Sequence, residues 1–492
     1  MGRIKENPLR ADKRRKLNNL RELGINPYPY KYERTIEAKV LKEKYASLEE
    51  GETKETERFK VAGRVMTKRP MGKAAFFNIQ DQTGSIQLYL RKDEISEESK
   101  SVFSNMDIGD IVGVEGFVFK TKKGEVSIHT GKLDMLCKTL EPLPEKFHGL
   151  TDIELKYRFR HLDLIMDPES RKVFEKRSVV LRETRNYLDN MGFLEVETPM
   201  LQRIYGGAAA RPFETHHNAL DMKLYMKISP ETYLKRLVVG GFEKVYDMNR
   251  NFRNEGIDRT HNPEFTMIEW YEAYTDYNDQ MERVENLVAH LAEKVTGNQK
   301  VNYQGQEIDF TVPWKRMTMH EAIQHYGEMD ADKMSDDELF QAIRKCGGDI
   351  EKPKLRGEMV CELFELVAEE KLIQPTFVCD YPVEISPLTK MHRDKENLVE
   401  RFELFFAGME VANSYSELND PVDQLERLKD QEEQRKVNDE AQPMDEDFVH
   451  AIEVGMPPTG GVGLGIERVV MVLTDRPSIR DIILFPTLRP NT

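Results

Sequence analysis

Between Asn251 and Phe265 the chain reads Asn-Phe-Arg-Asn-Glu-Gly-Ile-Asp-Arg-Thr-His-Asn-Pro-Glu-Phe, which crowds Arg253, Glu255, Arg259, His261 and Glu264 into one short run. The flanking residues alternate as strands do, and a hairpin loop normally has about two to five residues, so this longer polar loop points to function. Arg253, at a strand end, offers a planar fork of donors to a phosphate or a carboxylate. On the following strand a side-chain period of two puts Phe265, Met267, Glu269 and Tyr271 on one face. An acid on such a face needs a partner, because an unpaired buried charge is costly; the partner is either an internal Arg or Lys or a cationic ligand.

Further on, Arg401 to Glu410 suggests a hairpin turning at Ala407-Gly408, in which Glu410 faces Phe405 and so shares a face with Glu403. Two carboxylates so placed can reach one divalent ion bound to phosphates. Asn413, Tyr415 and Glu417 follow at alternate positions with parity opposite to Glu410, so a β-bulge between Glu410 and Asn413 is needed for both sets to face one pocket. Near the C-terminus, Thr459 to Arg468 is glycine-rich and leads into an apolar helix over 469–473. The Gly-x-Gly-x-x-Gly spacing fails at Ile466 and no βαβ unit surrounds it, which argues against a dinucleotide fold and for close approach to a nucleotide beside Arg468. Cys137, Cys346, Cys361 and Cys379 contain no Cys-x-x-Cys pair, hence neither a disulfide framework nor a zinc spacing.

These groups need elements to hold them. The 492 residues allow two or three domains, and the net charge of −15 argues against a general positive field for coating nucleic acid. Residues 1–44, however, carry 13 Lys and Arg against 6 Asp and Glu, a basic arm of +7 ahead of an acidic body. It reads equally as a solvated helix face and as a phosphate-contacting one. The N-terminal segment lacks the apolar run of a secretory signal and no stretch is apolar enough to span a membrane, so a cytoplasmic location is expected. Residues 1–57 read as a basic helix, from Pro8 to Leu23, and a linker whose acidic part lies near 47–57. Residues 58–145 read as five strands, Phe59–Thr67, Ala74–Asp81, Ser85–Arg91, Ile108–Phe119 and Glu125–Leu136, in an OB-type barrel that either binds single-stranded nucleic acid or is structural. In 146–492 a connector over Thr151–Leu164 precedes a helix over Ser170–Asn190 with Ser170 as N-cap and a strand over Phe193–Glu197. Extended segments then flank the polar loop, a helical insertion occupies 318–372, and strands resume at Phe377–Tyr381, Phe402–Ala407 and Glu410–Tyr415. Without repeated βαβ units, a mixed, mainly antiparallel sheet is expected.

Three segments, Gly192–Pro199, Phe252–Phe265 and Gly461–Arg468, resemble in order motifs 1, 2 and 3 of the class II aminoacyl-tRNA synthetases. With the barrel in front the resemblance covers nearly the whole chain and is nearest to the bacterial-type lysyl-tRNA synthetase family, supported by Gly206–Phe213, Ile228–Glu231 and Asn413–Asp420. It implies an α+β fold, an OB-fold anticodon-binding domain followed by an antiparallel catalytic sheet flanked by helices, in a cytoplasmic homodimer joined through motif 1. The implied reaction is ligation: ATP activates L-lysine to lysyl-adenylate, and the lysyl group passes to the 3′-hydroxyl of tRNA(Lys). Among implied roles, Arg253 holds the α-phosphate and the substrate carboxylate, Phe265 and Arg468 sandwich adenine, and Glu255 and His261 fix ATP. Glu403 and Glu410 would bind magnesium, with Glu410 also at the ATP. Gly207 and Glu231 would meet the α-amino end of lysine, with Glu269, Tyr271 and Glu417 around its ε-ammonium and Asn413 and Tyr415 nearby. In the barrel, Phe76 and Gln87 match the positions that would stack on and hydrogen-bond an anticodon base, and Arg64 and Glu125 are two further anticodon-binding candidates. The chain departs from many bacterial relatives in having Thr260 directly before His261, with Arg259 one place earlier.

Three rivals are open to comparison. An aspartyl or asparaginyl synthetase shares barrel and motifs, but an acidic side chain wants cations, and those relatives have Gln where this chain has Glu231. A catalytically inactive OB-type RNA-binding protein would not need Arg253, Glu403, Glu410 and Arg468. Relatives that attach lysine to a protein lack the barrel.

Overall fold

The computed structural model describes residues 8–144, 152–352, 354–436 and 441–490. The chain divides into two compact units at Gly149/Leu150; the expected boundary at 145/146 lies outside the described residues.

In the first unit, helices α1 (Pro8–Glu22) and α2 (Ala38–Lys44) precede strands β1 (Thr53–Met71), β2 (Ala74–Gln80) and β3 (Ser85–Arg91). Helix α3 (Glu97–Asn105) then leads to β4 (Ile111–Lys120) and β5 (Val126–Cys137). The strands close into a barrel in the order β1-β2-β3-β5-β4, with β4 returning to β1. Alternation decides which side chains fill it: Ala75, Phe77 and Ile79 of β2 are buried inside, while Phe76 and Asn78 face outward. Where β4 meets β5, a Cβ on Gly116 would lie 2.0 Å from the His129 carbonyl oxygen, so only glycine lets the strands approach. Two expectations change. β1 begins at Thr53, inside the segment read as linker, because its polar residues face outward and left no apolar alternation to read. Helices α2 and α3 were not expected: one is a single short apolar step (Ala38, Leu41) and the other is capped by Ser96, whose hydroxyl accepts from the Ser99 amide.

The second unit opens with α4 (Ile153–Arg158), α5 (Arg160–Met166) and α6 (Pro168–Asn190), followed by β6 (Leu194–Glu195). The connector is therefore two short helices, and the N-cap of α6 is Asp167 rather than Ser170, with Pro168 in the first turn. β6 is only two residues long and pairs parallel with a later strand, so the expected strand over 193–197 is mostly irregular chain. A small sheet follows, β7 (Leu201–Gln202), β8 (Glu214–His217) and β9 (Met222–Met226), then α7 (Glu231–Val239), β10 (Lys244–Phe252), β11 (Glu264–Ala273) and α8 (Tyr277–Thr296). After the hairpin β12 (Lys300–Tyr303) and β13 (Gln306–Asp309) and the edge strand β14 (Lys315–Thr318) come the insertion helices α9 (Met319–Gly327), α10 (Asp336–Lys345) and α11 (Arg356–Val367). Strands β15 (Thr376–Pro382), β16 (Leu398–Phe406) and β17 (Met409–Ser416) lead through α12 (Pro421–Gln434) and α13 (Glu446–Gly455) to β18 (Thr459–Gly465), α14 (Ile466–Leu473) and α15 (Ile479–Ile482).

Eight strands form one sheet in the order β14-β15-β16-β17-β18-β11-β10-β6, antiparallel except for the two outermost pairs. One face packs on α6, α8 and α14: Val284, Leu287 and Val288 meet Trp270, Phe402 and Leu464, and the Trp270 indole donates to Gln280 at 2.8 Å. The insertion helices have their own apolar cluster, seated on Val378 and Phe405 of the sheet. Among the described residues no helix is long and apolar enough to cross a membrane.

Candidate functional site

The opposite face of the sheet carries a cavity of about 360 Å³ whose floor is β11, β17 and β18. The β10–β11 hairpin builds one wall. Its register pairs Phe252 with Glu264, which leaves Arg253 to Pro263 as the loop. Asp258 folds the loop back by accepting the Thr260 and His261 amides, each at 2.7 Å, and His261 Nδ1 at 2.8 Å. Against the pull of burial, these donors hold the Asp258 carboxyl down to about 2. The ring so fixed points Nε2 at the Arg468 guanidinium, 3.3 Å away. Arg259 is turned to the Pro477 carbonyl, and Thr260 lines the cavity in its place.

Arg253 lies with its guanidinium 5.3 Å from the Phe265 ring centroid, and its buried Nε has no acceptor. Burial lowers its pKa, opposed by Glu255, Glu410 and Glu269; an anion in front of it would relieve that cost. Phe265, Met267, Glu269 and Tyr271 all line the cavity, as the period of two requires. Glu269 is 4% exposed, accepts from Ser229 Oγ (2.8 Å) and the Tyr271 hydroxyl (3.2 Å), and has no ion pair among the described residues. Burial followed by the nearby Glu231 pushes the Glu269 carboxyl up to about 8, against the pull of Arg253 and Lys227, neither of which forms an ion pair with it.

The bulge that the parity of Glu410 and Asn413 demands is present. Leu404 pairs with Ala412 but Phe405 pairs with Glu410, so Val411 is the extra residue. The turn is Ala407-Gly408, both with positive φ, 55° and 69°, as a two-residue hairpin turn needs. Glu403, Glu410, Asn413 and Tyr415 consequently reach one cavity. Arg401 threads them together, donating to Glu403 at 2.6 Å and Asn413 at 3.0 Å, while the Tyr381 hydroxyl holds the other Glu403 oxygen at 2.9 Å. Burial, with Glu410 adding to it and Arg401 opposing, raises Glu403 to about 7. Arg468 donates to the Glu410 backbone oxygen and sits 3.2 Å from its carboxylate. Among the described residues no three His, Cys, Asp or Glu converge as a metal cage, so a divalent cation at Glu403 and Glu410 would need further ligands such as phosphate and water.

At the deep end, Glu231 begins α7, accepting from the Tyr415 hydroxyl and from Lys235, both at 2.6 Å. Gly207, at φ +82°, approaches so closely that a Cβ would lie 2.6 Å from Ser229 Oγ. The glycines of β18 have the same cause: side chains on Gly461 and Gly463 would run into Glu417, Tyr271 and Met267, so the strand is bare in order to leave room. Gly207, Glu231, Arg253, Glu255, His261, Phe265, Glu269, Tyr271, Glu403, Glu410, Asn413, Tyr415 and Arg468 thus surround one space. Glu417 stands behind its wall, in contact with Lys235. The sequence reading missed Lys235, although it lies one helical turn from Glu231, and Arg401, two residues from Glu403 on one strand face.

On the barrel, Phe76 and Tyr89 are cross-strand neighbours with ring centroids 4.8 Å apart, and Asn78 is paired with Gln87, which accepts from Ser127 at 3.0 Å. Arg64 is paired with Gln80 and donates to the Gly109 carbonyl, and Glu125 binds Lys42 at 2.9 Å, while the Ser127 hydroxyl bonds both the Gln87 side chain and the Glu125 carbonyl. The cation opposite Phe76 is Arg69, which is exposed. A β-bulge between Val65 and Thr67 shifts the register, so counting along β1 from sequence does not find it.

Comparison with known proteins agrees with this geometry. Residues 152–489 match the family described as class II tRNA synthetases (D, K and N), and residues 59–136 match the OB-fold nucleic acid binding domain. The chain is 53% identical to the lysine–tRNA ligase of Syntrophomonas wolfei, over 97% of this chain and 96% of that protein. It is 53% identical to that of Carboxydothermus hydrogenoformans, over 96% of each, and 52% identical to that of Clostridium novyi, over 98% of this chain and 95% of the relative.

Proposed function

Because the chain belongs to the class II tRNA synthetases, within the lysine–tRNA ligase family, it joins L-lysine to tRNA using ATP, and we propose that the cavity over β11, β17 and β18 makes the lysyl-adenylate. The observation that carries the residue assignment is the charge at the deep end. Three buried carboxylates, Glu231, Glu269 and Glu417, face one buried cation, Lys235, and the shortfall suits an amino acid with an ammonium at both ends.

Lysine would lie with its α-amino group at Glu231 and the Gly207 loop, its ε-ammonium between Glu269, Tyr271 and Glu417, and Asn413 and Tyr415 along its stem. Adenine would sit between Phe265 and Arg468, with Glu255 and His261 on the nucleotide. A lysine carboxylate oxygen attacks the α-phosphorus as the bond to the bridging pyrophosphate oxygen breaks in line. Arg253, close to both ends, stabilises the charge that develops on the phosphoryl oxygens and holds the attacking carboxylate. No side-chain nucleophile is needed. Glu403 and Glu410 would hold magnesium, which supplies charge neutralisation on the phosphates. In the second step the tRNA 3′-hydroxyl takes the lysyl group from the adenylate and AMP leaves; tRNA(Lys) would be selected through Phe76 and Gln87 on the barrel, with Arg64 and Glu125 as further contacts and Arg69 opposite Phe76.

A substrate with an acidic side chain is disfavoured, because the buried lysines near the deep end are already paired, Lys235 with Glu231 and Glu417 and Lys227 with Asp247. A cytoplasmic homodimer completes the proposal. The apolar side of α6 (Val173, Val180, Leu188) is covered by the chain's own core, so the dimer reading draws support instead from exposed Leu194 and Leu201. Amino-acid-dependent ATP–pyrophosphate exchange over the twenty amino acids tests the substrate, with lysine expected to dominate; preference for aspartate would overturn it. Sedimentation at micromolar concentration tests the dimer, and a stable monomer would refute it.

A further inference from the structure

Lys235 is fully buried yet does not line the cavity. Its ammonium touches Glu231 Oε1 at 2.6 Å and Glu417 Oε2, with the Tyr415 and Phe448 rings at 5.5 and 5.9 Å. Tyr415 takes the second oxygen of Glu231, but Glu417 Oε1 is buried without a donor. That orphaned oxygen stands where a Cβ on Gly461 would be, 2.0 Å away, so the glycine opens a line from the carboxylate to the cavity. One cation therefore grips two acids from behind and leaves one oxygen facing forward. With Lys235 counted and all three carboxyls ionised by the incoming cation, the excess is two negative charges, matching the two ammonium groups of a diamino acid whose carboxylate is held by Arg253.

We propose that Lys235 is a positioning residue for amino-acid selection that acts through Glu417, holding it as an aimed anion so that Glu417 Oε1 receives the side-chain ammonium of the substrate, while Glu231 keeps its bond from Tyr415. This rests on the lysine reading of the pocket. The physical reason is desolvation: a buried carboxylate without a counter-charge takes a proton and then presents a donor to the incoming cation. Burial pushes Glu417 well above the ordinary carboxylate range, Glu231 and Glu269 add to that, and Lys235 opposes it. Burial also works against the charge on Lys235, and Glu231 and Glu417 outweigh it. The other groups facing this pair are Tyr415 from β17, Tyr271 from β11 and Phe448 from α13.

Pyrophosphate exchange with lysine and with norleucine, on the wild-type chain and on Lys235→Met, Glu417→Gln and the double variant, tests this. Lys235→Met should raise the lysine KM by at least about 30-fold and erode the preference over norleucine, with the ATP KM within about twofold. The double variant removes the Glu417 charge together with its counter-ion and leaves Glu231 bonded to the Tyr415 hydroxyl, so it should fold even where the single does not. Its lysine KM should lie within about threefold of Glu417→Gln alone, because residues acting as one unit do not add. A Lys235→Met chain with a wild-type lysine KM, or a double variant about tenfold or more worse than Glu417→Gln, would overturn the role of Lys235. Failure of the wild type with lysine would overturn the pocket reading instead.

Discussion

The outer face of the barrel and the deep end of the pocket are built for recognition from opposite materials. On the barrel, Phe76, Tyr89, Phe117, Phe119 and His129 form a half-buried aromatic patch, with His129 stacked on Phe117 at 4.7 Å. Burial lowers the His129 pKa, with Glu94 opposing, so the patch presents flat rings and little charge of its own. At the deep end the rings are lining and the charges are the substance: Glu231, Glu269 and Glu417 are each under 5% exposed. A stacking surface tolerates water and adjusts, whereas a buried charge is either matched or costly. Changes in the pocket should therefore be large, specific to the amino acid and dependent on pH, and changes on the barrel smaller, confined to tRNA and dependent on salt.

The largest effect expected is that of Glu269→Gln, which removes the one deep-end acid lacking an internal cation. Lysine activation in pyrophosphate exchange should weaken by about 2–5 kcal/mol with the ATP KM much less affected; a variant indistinguishable from wild type would break the contrast at its strongest point. Next comes Phe76→Ala, which should cost about 1–3 kcal/mol in charging of tRNA while sparing adenylate formation. Equal losses in both half-reactions would mean that the barrel is not a separate recognition surface.

A smaller and sharper test is pH. Glu269, pushed up to about 8, must lose its proton to pair with an ammonium, so the lysine KM should fall up to about tenfold per unit as pH rises toward 8, and Glu269→Gln should abolish that slope. Stability runs the other way. The folded-state pKa lies above the ordinary 4.5, so the native state binds the extra proton, and stability contributed by Glu269 is full below about 4.5 and lost as pH rises to about 8. Thermal unfolding of Glu269→Gln should accordingly gain on wild type above pH 8 and not below about 4.5. The smallest effect belongs to Arg69→Ala: a few-fold weaker tRNA binding with the salt dependence shallower by about one unit, and no change in lysine KM.

Most of the pocket was legible in the chain because its signals are local. Alternation places Phe265, Met267, Glu269 and Tyr271 together, and the opposite parities of Glu410 and Asn413 require the bulge found at Val411. The same local reasoning misjudged the N-cap of α6, where Asp167 with Pro168 outcompetes Ser170, and could not see β1 beginning at Thr53 among polar residues. On the barrel, that Arg69 stands opposite Phe76 was not legible, because a one-residue shift in register is invisible until two strands are paired.

By itself, then, the sequence determined the order of the motif-bearing segments, the faces of the strands that line the site and the chemical types gathered there, all consequences of periods of two and of turns a few residues long. Tertiary structure alone decided which charges are matched. Lys235 and Glu417 are far apart in sequence and meet only because α7 packs on β10 and β11 of the sheet that also holds β17, and Glu417 stands behind the wall because Gly461 has no side chain to keep it out. The worth of such a pairing comes from the exclusion of water, which depends on everything packed around it and on no spacing along the chain.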